Sequence, residues 1–279
     1  MNRLTQCKPL SSSNLDHITI SVEEINKLVD PSKMNMTCRI GNFSDVEQSA
    51  YILPVCRVKY DFPNHKSNFK SKLSVVMEQT ANFATVLADR TGQSIDKITQ
   101  KHEEYVLGCI QNMTDFENRI ARDVFETVKS NVDFFHEGVD FEEWKNDHWV
   151  STLVMMNGHT MSLPVNYSPN SMPGLQMPQG VKYSEQVKVY IQEACYSEKN
   201  EPINPGTLEC FMANSFLVPI VYPVHVHSFS KGMADPKLKF AIKWVPSGFR
   251  LVISEPLRLD QMHIPELPDH FSSMYTEDE

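Results

Sequence analysis

The chain lacks the short motifs that mark most catalytic sites. It has no Gly-x-Ser-x-Gly elbow, Walker loop or Gly-x-Gly-x-x-Gly turn, and glycine itself occurs only ten times in 279 residues. That scarcity argues against backbone cradles for phosphates or acyl oxyanions, and the sequence reads as non-enzymatic with no cofactor. Its six cysteines (Cys7, Cys38, Cys56, Cys109, Cys195, Cys210) include no Cys-x-x-Cys pair. Cys56 and Cys109 fall in apolar periodic segments suited to small buried thiols, so reduced thiols in an intracellular, reducing compartment are expected. The sequon-like triplets at Asn35, Asn42 and Asn112 are then chance matches. No run of about 18 apolar residues occurs, and the polar first fourteen residues hold no export-type apolar stretch, so neither a membrane partner nor a leader is expected. Net positive charge is missing too: the formal charge is -9 and the pI about 5.6. That balance disfavours coating of duplex nucleic acid by bulk positive charge, and it leaves room for a local basic groove.

The last twenty residues carry six carboxylates (Asp260, Glu266, Asp269, Glu277, Asp278, Glu279) and no Lys or Arg. A free acidic tail of this kind competes with a polyanion for a basic surface and offers Glu277, Asp278 and Glu279 to partner proteins.

At 41% hydrophobic the chain can bury one large core, and the expected division is an N-terminal arm (1–30), one elaborated domain (31–259) and the tail (260–279). β-like runs occupy 36–41, 51–60 and 69–77. In the third, Leu73, Val75 and Met77 alternate with Lys70, Lys72 and Ser74, the period of a half-buried strand with a basic outer face. Helical periodicity takes over at 78–92, then 94–113. A third helix is expected to open at Thr114-Asp-Phe-Glu117, a capping-box pattern. This helical insertion is placed at about 94–135. Further β-structure follows: a hairpin at 150–165 turning on Asn157-Gly158, a strand around Val187, Val189 and Ile191, a strand at 216–229, and a closing hairpin at 237–259 broken at Pro246-Ser-Gly248.

The sharpest constellation is Lys237-Leu-Lys-Phe-Ala-Ile-Lys-Trp-Val245. Leu238, Phe240, Ile242 and Trp244 share a core face, and Lys237, Lys239 and Lys243 share the other. An ordinary solvated face is the plain alternative for one strand. The pattern recurs, however, in Arg57 with Lys59 and in Lys70 with Lys72, interleaved with Tyr60 and Phe62; Phe249 is a further stacking candidate. Cations interleaved with rings suit sequence-tolerant binding of single strands, where base stacking contributes ~1–3 kcal/mol per base. His225-Val-His227 would place two imidazoles on one side of a strand, but the sequence shows no third ligand, so no metal site is expected. Glu103-Glu104 and Glu142-Glu143 are consecutive, diverge on a helix and read as solubilising.

The order of elements resembles a known plan: a basic strand (69–77) running into a helix (78–92), then Lys-Leu-Lys-Phe-Ala-Ile-Lys…Phe-Arg-Leu-Val-Ile-Ser-Glu-Pro-Leu, then an acidic tail. It is similar to the OB-fold single-stranded-DNA-binding proteins of short-tailed phages, poxviruses and other large DNA viruses, over residues 51–92 and 237–279. The resemblance implies an α+β fold, an OB-like antiparallel β-barrel with a helical insertion and an acidic C-terminal tail. It also implies single-stranded DNA binding in viral genome replication inside an infected host cell, replication proteins recruited by the tail, and homo-oligomers. The competing reading is a viral structural or assembly protein, a β-sandwich capsid or scaffold subunit, which 17 prolines and long loops also suit.

Overall fold

The computed structural model describes residues 7–21, 26–30, 35–43, 50–60, 70–129, 138–155, 158–169, 189–191, 194–196, 202–203, 206–207, 213–230 and 238–253. In chain order the elements are β1 Lys8–Pro9, α1 Ser12–Leu15, β2 Ile20–Ser21, β3 Asn26–Asp30, β4 Asn35–Phe43, β5 Tyr51–Ile52, β6 Cys56–Val58, β7 Lys70–Met77, α2 Ala84–Thr91, α3 Ile95–Val128 and α4 Phe141–His148. They continue with β8 Val154–Met155, β9 His159–Pro169, β10 Val189–Ile191, β11 Ala194–Tyr196, β12 Pro202–Ile203, β13 Gly206–Thr207, β14 Phe216–Ser230 and β15 Leu238–Ile253. Strands dominate, with few helices, and the pairing is mixed: β11 runs parallel to β15 while the other registered ladders are antiparallel. This is an α+β protein. No described helix is long and apolar enough to cross a membrane.

Two compact units divide the chain: Met1–Tyr51, Gly108–Val154 and Tyr222–Val245 form the first, and Ile52–Leu107, Met155–Val221 and Pro246–Glu279 the second. In the first unit β4 pairs with β2, β3 and the far half of β14. Its core gathers rings around Trp144, which touches Phe125, Phe141, Trp149 and Phe240. The N-terminal segment expected as an arm supplies Leu10, Leu15 and Ile18 to buried positions. Arg119 holds it there, donating to the carbonyl of Ile18 (2.9 Å) and to that of Leu15 (2.8 Å), the last residue of α1.

In the second unit β14, β6, β7, β9, β10 and β13 pair in that order. α2 and the start of α3 bury Phe83, Ala84, Leu87 and Ile98 with Val55, Val218 and Val252. α2 stops at Gly92, whose φ of 72° is the left-handed cap that glycine adopts without strain.

Four expectations are corrected. The capping box at Thr114 is absent, and α3 is one helix of 34 residues. The Thr114 hydroxyl bonds back to Ile110 O at 2.8 Å. Glu117 turns instead to a neighbouring segment, accepting from Ser151 Oγ and Thr152 N at 2.8 Å each. Its buried carboxyl is pushed up from the usual value, mainly by desolvation and against those hydrogen bonds. The hairpin strand expected from residue 150 shrinks to β8, because Val150 N is taken by Phe240 O and Thr152 N by Glu117. The run at 51–60 splits into β5 and β6 around Leu53-Pro54-Val55, Pro54 being unable to donate to a ladder. The closing hairpin is a single strand of 16 residues passing straight through Pro246-Ser-Gly248. There the parallel partner β11 (Ala194 opposite Gly248, Tyr196 opposite Arg250) overrides local turn propensity.

Candidate nucleic-acid interface

The alternation in β7 fixes the site. Leu73, Val75 and Met77 are buried, as are Val58 on β6 and Met161, Leu163 and Val165 on β9. One face of this three-stranded stretch is therefore core. Because cross-strand partners share a face, the register places the remaining residues in rows on the other side, where Val76 and Thr160 are themselves buried. Arg57, Val76 and Thr160 form the first row. Lys59, whose N–H donates to Ser74 O at 2.9 Å, joins Ser74 and Ser162 in the second. Lys72 opposite Pro164 makes the third, and Lys70 opposite Asn166 the fourth. Lys72, Ser162 and Tyr60 are exposed and Lys59 is half-buried. Successive rows lie about 7 Å apart, two residues of strand rise.

The first row is closed by an ion pair. Glu78 follows β7 directly, and its Oε1 accepts from Arg57 Nε (2.8 Å) and Nη2. Asn214 Oδ1 accepts from Nη1 at 3.3 Å. The bond to Glu78 holds the guanidinium more firmly protonated than usual, over the opposing effect of burial. Lys59 Nζ reaches Thr160 Oγ1 at 3.3 Å and lies 5.6 Å from the centre of the Tyr60 ring. Tyr60, 53% exposed, leaves that ring available for stacking.

The sequence-expected residues fare unevenly. Arg57, Lys59, Tyr60, Lys70 and Lys72 come together in the second unit on or beside one sheet face. Lys239 and Lys243 belong to the first unit. Phe240, Ile242 and Trp244 are buried and Lys243 is exposed, as the alternation of β15 requires. Lys239, though, donates from Nζ to Asp147 O at 2.6 Å and so helps anchor the end of α4. Phe249 is corrected: at 0% exposure it is a core ring and offers no stacking face, because β15 does not turn where a hairpin was expected. Phe62, Lys237, Glu277, Asp278 and Glu279 lie outside the described residues, as does the side chain of Lys70. His225 and His227 stand edge to face at 5.9 Å, and among the described residues no group of three or more His, Cys, Asp or Glu could hold a metal ion. Glu78, Asn214, Thr160 and Ser162 went unread in the sequence, since only the ladder register brings them beside the cations.

No protein-family model matches the chain, and no curated protein matches it. Among solved structures it is similar to gp2.5, a single-stranded DNA binding protein encoded by bacteriophage T7. The identity is 12% and the TM-score 0.35, over 77% of this chain and 98% of that one. The interface therefore rests on its own residues.

Behind the closed row sits His102, 1% exposed. Its Nε2 is 2.8 Å from the Glu78 carbonyl, and its ring meets Phe83 edge to face at 4.8 Å. A carbonyl only accepts, so Nε2 carries a proton. Desolvation pushes the ring below its ordinary value of 6.5, partly offset by that hydrogen bond and by the Glu78 charge. A histidine depressed in the folded state binds fewer protons there than when unfolded. Its contribution is thus complete above pH 6.5 and is lost as pH falls through the unfolded value toward the folded one. Urea denaturation is expected to show a falling midpoint on acidification below pH 6.5, and a shallower fall in His102→Gln. Equal slopes in the two proteins would contradict this.

Proposed function

We propose that the protein binds single-stranded nucleic acid, DNA in the first instance, without catalysis and in the service of viral genome replication, on the exposed face of β6, β7 and β9. The observation that carries this reading is the one-sidedness of that stretch. Its inner face buries Val58, Leu73, Val75, Met77, Met161, Leu163 and Val165, while its outer face carries Lys59, Lys70 and Lys72 in successive rows with hydroxyls between them and Tyr60 at the edge. Ammonium groups a few ångströms apart along a strand suit a phosphate backbone, and a ring beside them suits a base of any sequence. An OB-like barrel built on this sheet and self-association belong to the same proposal. So does an acidic tail that competes for the basic face and recruits replication proteins through Glu277, Asp278 and Glu279.

The test is a fluorescence-polarisation titration of oligo-dT at two salt concentrations. Affinity is expected to fall steeply with salt, each neutralised phosphate contributing a slope of about -0.7 through counterion release. No binding at low salt would overturn the reading.

A further inference from the structure

We propose that Glu78 and Asn214 are positioning residues that fix the Arg57 guanidinium as a two-donor fork for a nucleic-acid phosphate at the closed end of the basic face. This inference rests on the reading that the face binds a single strand.

A guanidinium has five N–H donors and no acceptor. Glu78 Oε1 takes the Nε–H and one Nη2–H, and Asn214 Oδ1 takes one Nη1–H. One donor on each terminal nitrogen is left uncommitted among the described residues, on a side chain that is 23% exposed. Two donors from one planar group match two oxygens of one phosphate, which a lysine ammonium does not do.

The two acceptors look built for this. Glu78 makes both of its bonds to Arg57 through a single oxygen, and its Oε2 is buried with no hydrogen-bond partner among the described residues. Asn214 has a φ of 69°, the left-handed region that side chains other than glycine enter at a cost. Its N–H is tied to Val58 O at 2.9 Å, which aims Oδ1 across the strand at Arg57. The pairing leaves the two uncommitted donors of Arg57 in place while removing its freedom to turn away. Arg57 therefore acts as a fixed hydrogen-bonding contact, and the lysine rows beyond it act chiefly through charge.

The experiment uses the full chain and fluorescent oligo-dT, with melting temperatures recorded alongside. Asn214→Gly is expected to melt no lower than the parent, because glycine adopts this φ freely, yet to bind about fivefold more weakly at an unchanged salt slope. Arg57→Lys keeps the charge and loses the fork; it is expected to bind about tenfold more weakly, again with the slope unchanged. Lys72→Ala is expected to reduce the slope by about 0.7. Parental affinity in both Asn214→Gly and Arg57→Lys, with Lys72→Ala weakened, would overturn the inference and leave the basic face standing. Weakened binding accompanied by a lowered melting temperature in both variants would overturn it as well, since the residues would then act through the fold. Failure of the unmodified protein to bind at low salt would instead sink the underlying reading.

Discussion

Trp144→Ala is expected to lower the stability of the protein by about 3–5 kcal/mol, the range for truncating a fully buried large aromatic side chain. Trp144 is wholly buried in the first unit. Its ring centre lies 5.4 Å from Phe125, 5.5 Å from Phe240, 6.1 Å from His148, 6.3 Å from Phe141 and 6.4 Å from Trp149. Such ring pairs add to simple area burial, and the neighbours come from α3, α4 and β15, so none can close the void without moving a whole element. Arg122 lies over the Phe141 ring, 4.1 Å from its centre, and holds that ring as well. Guanidinium denaturation followed by near-ultraviolet circular dichroism would measure the loss. A change below about 1 kcal/mol, the scale of an ordinary surface substitution, would show that the cluster is not the core of the unit.

The double variant Lys59→Ala/Lys72→Ala is expected to bind oligo-dT about 30-fold more weakly at low salt, from ~1 kcal/mol for each lost charge pair. Its salt slope should fall by about 1.4, two phosphates' worth of released counterions. Lys72 is exposed and Lys59 half-buried, and the bond from Lys59 to Thr160 is long at 3.3 Å. Stability should therefore change by no more than ~0.5 kcal/mol. Titrations of parent and variant at matched salt series give both numbers. An unchanged slope would show that these cations meet no phosphate.

The face assignment within strands was legible because period-2 alternation is local: Leu73, Val75 and Met77 are buried against exposed Lys72, and Phe240, Ile242 and Trp244 against exposed Lys243. Helix existence was legible too, through the apolar spacing of Ile98, Val106 and Cys109. What escaped was settled by long-range partners. Pro246-Ser-Gly248 looks like a turn until β11 pairs alongside it. Thr114 to Glu117 looks like a helix start, yet Glu117 satisfies Ser151 and Thr152 across the first unit. Arg57 looks like a free cation, and only the fold brings Glu78 and Asn214 to it from 21 and 157 residues away. Phe249 looks like an exposed ring for the same reason that the turn looked real.

The most direct test of the proposed surface is lysine acetylation footprinting, read by mass spectrometry with and without saturating oligo-dT. Lys59 and Lys72 are expected to be protected in the complex, while Lys97 and Lys129, both exposed, on or just after α3 and on none of the three strands, keep their reactivity. Bound oligonucleotide that leaves Lys72 as reactive as before, with protection appearing elsewhere, would contradict the account.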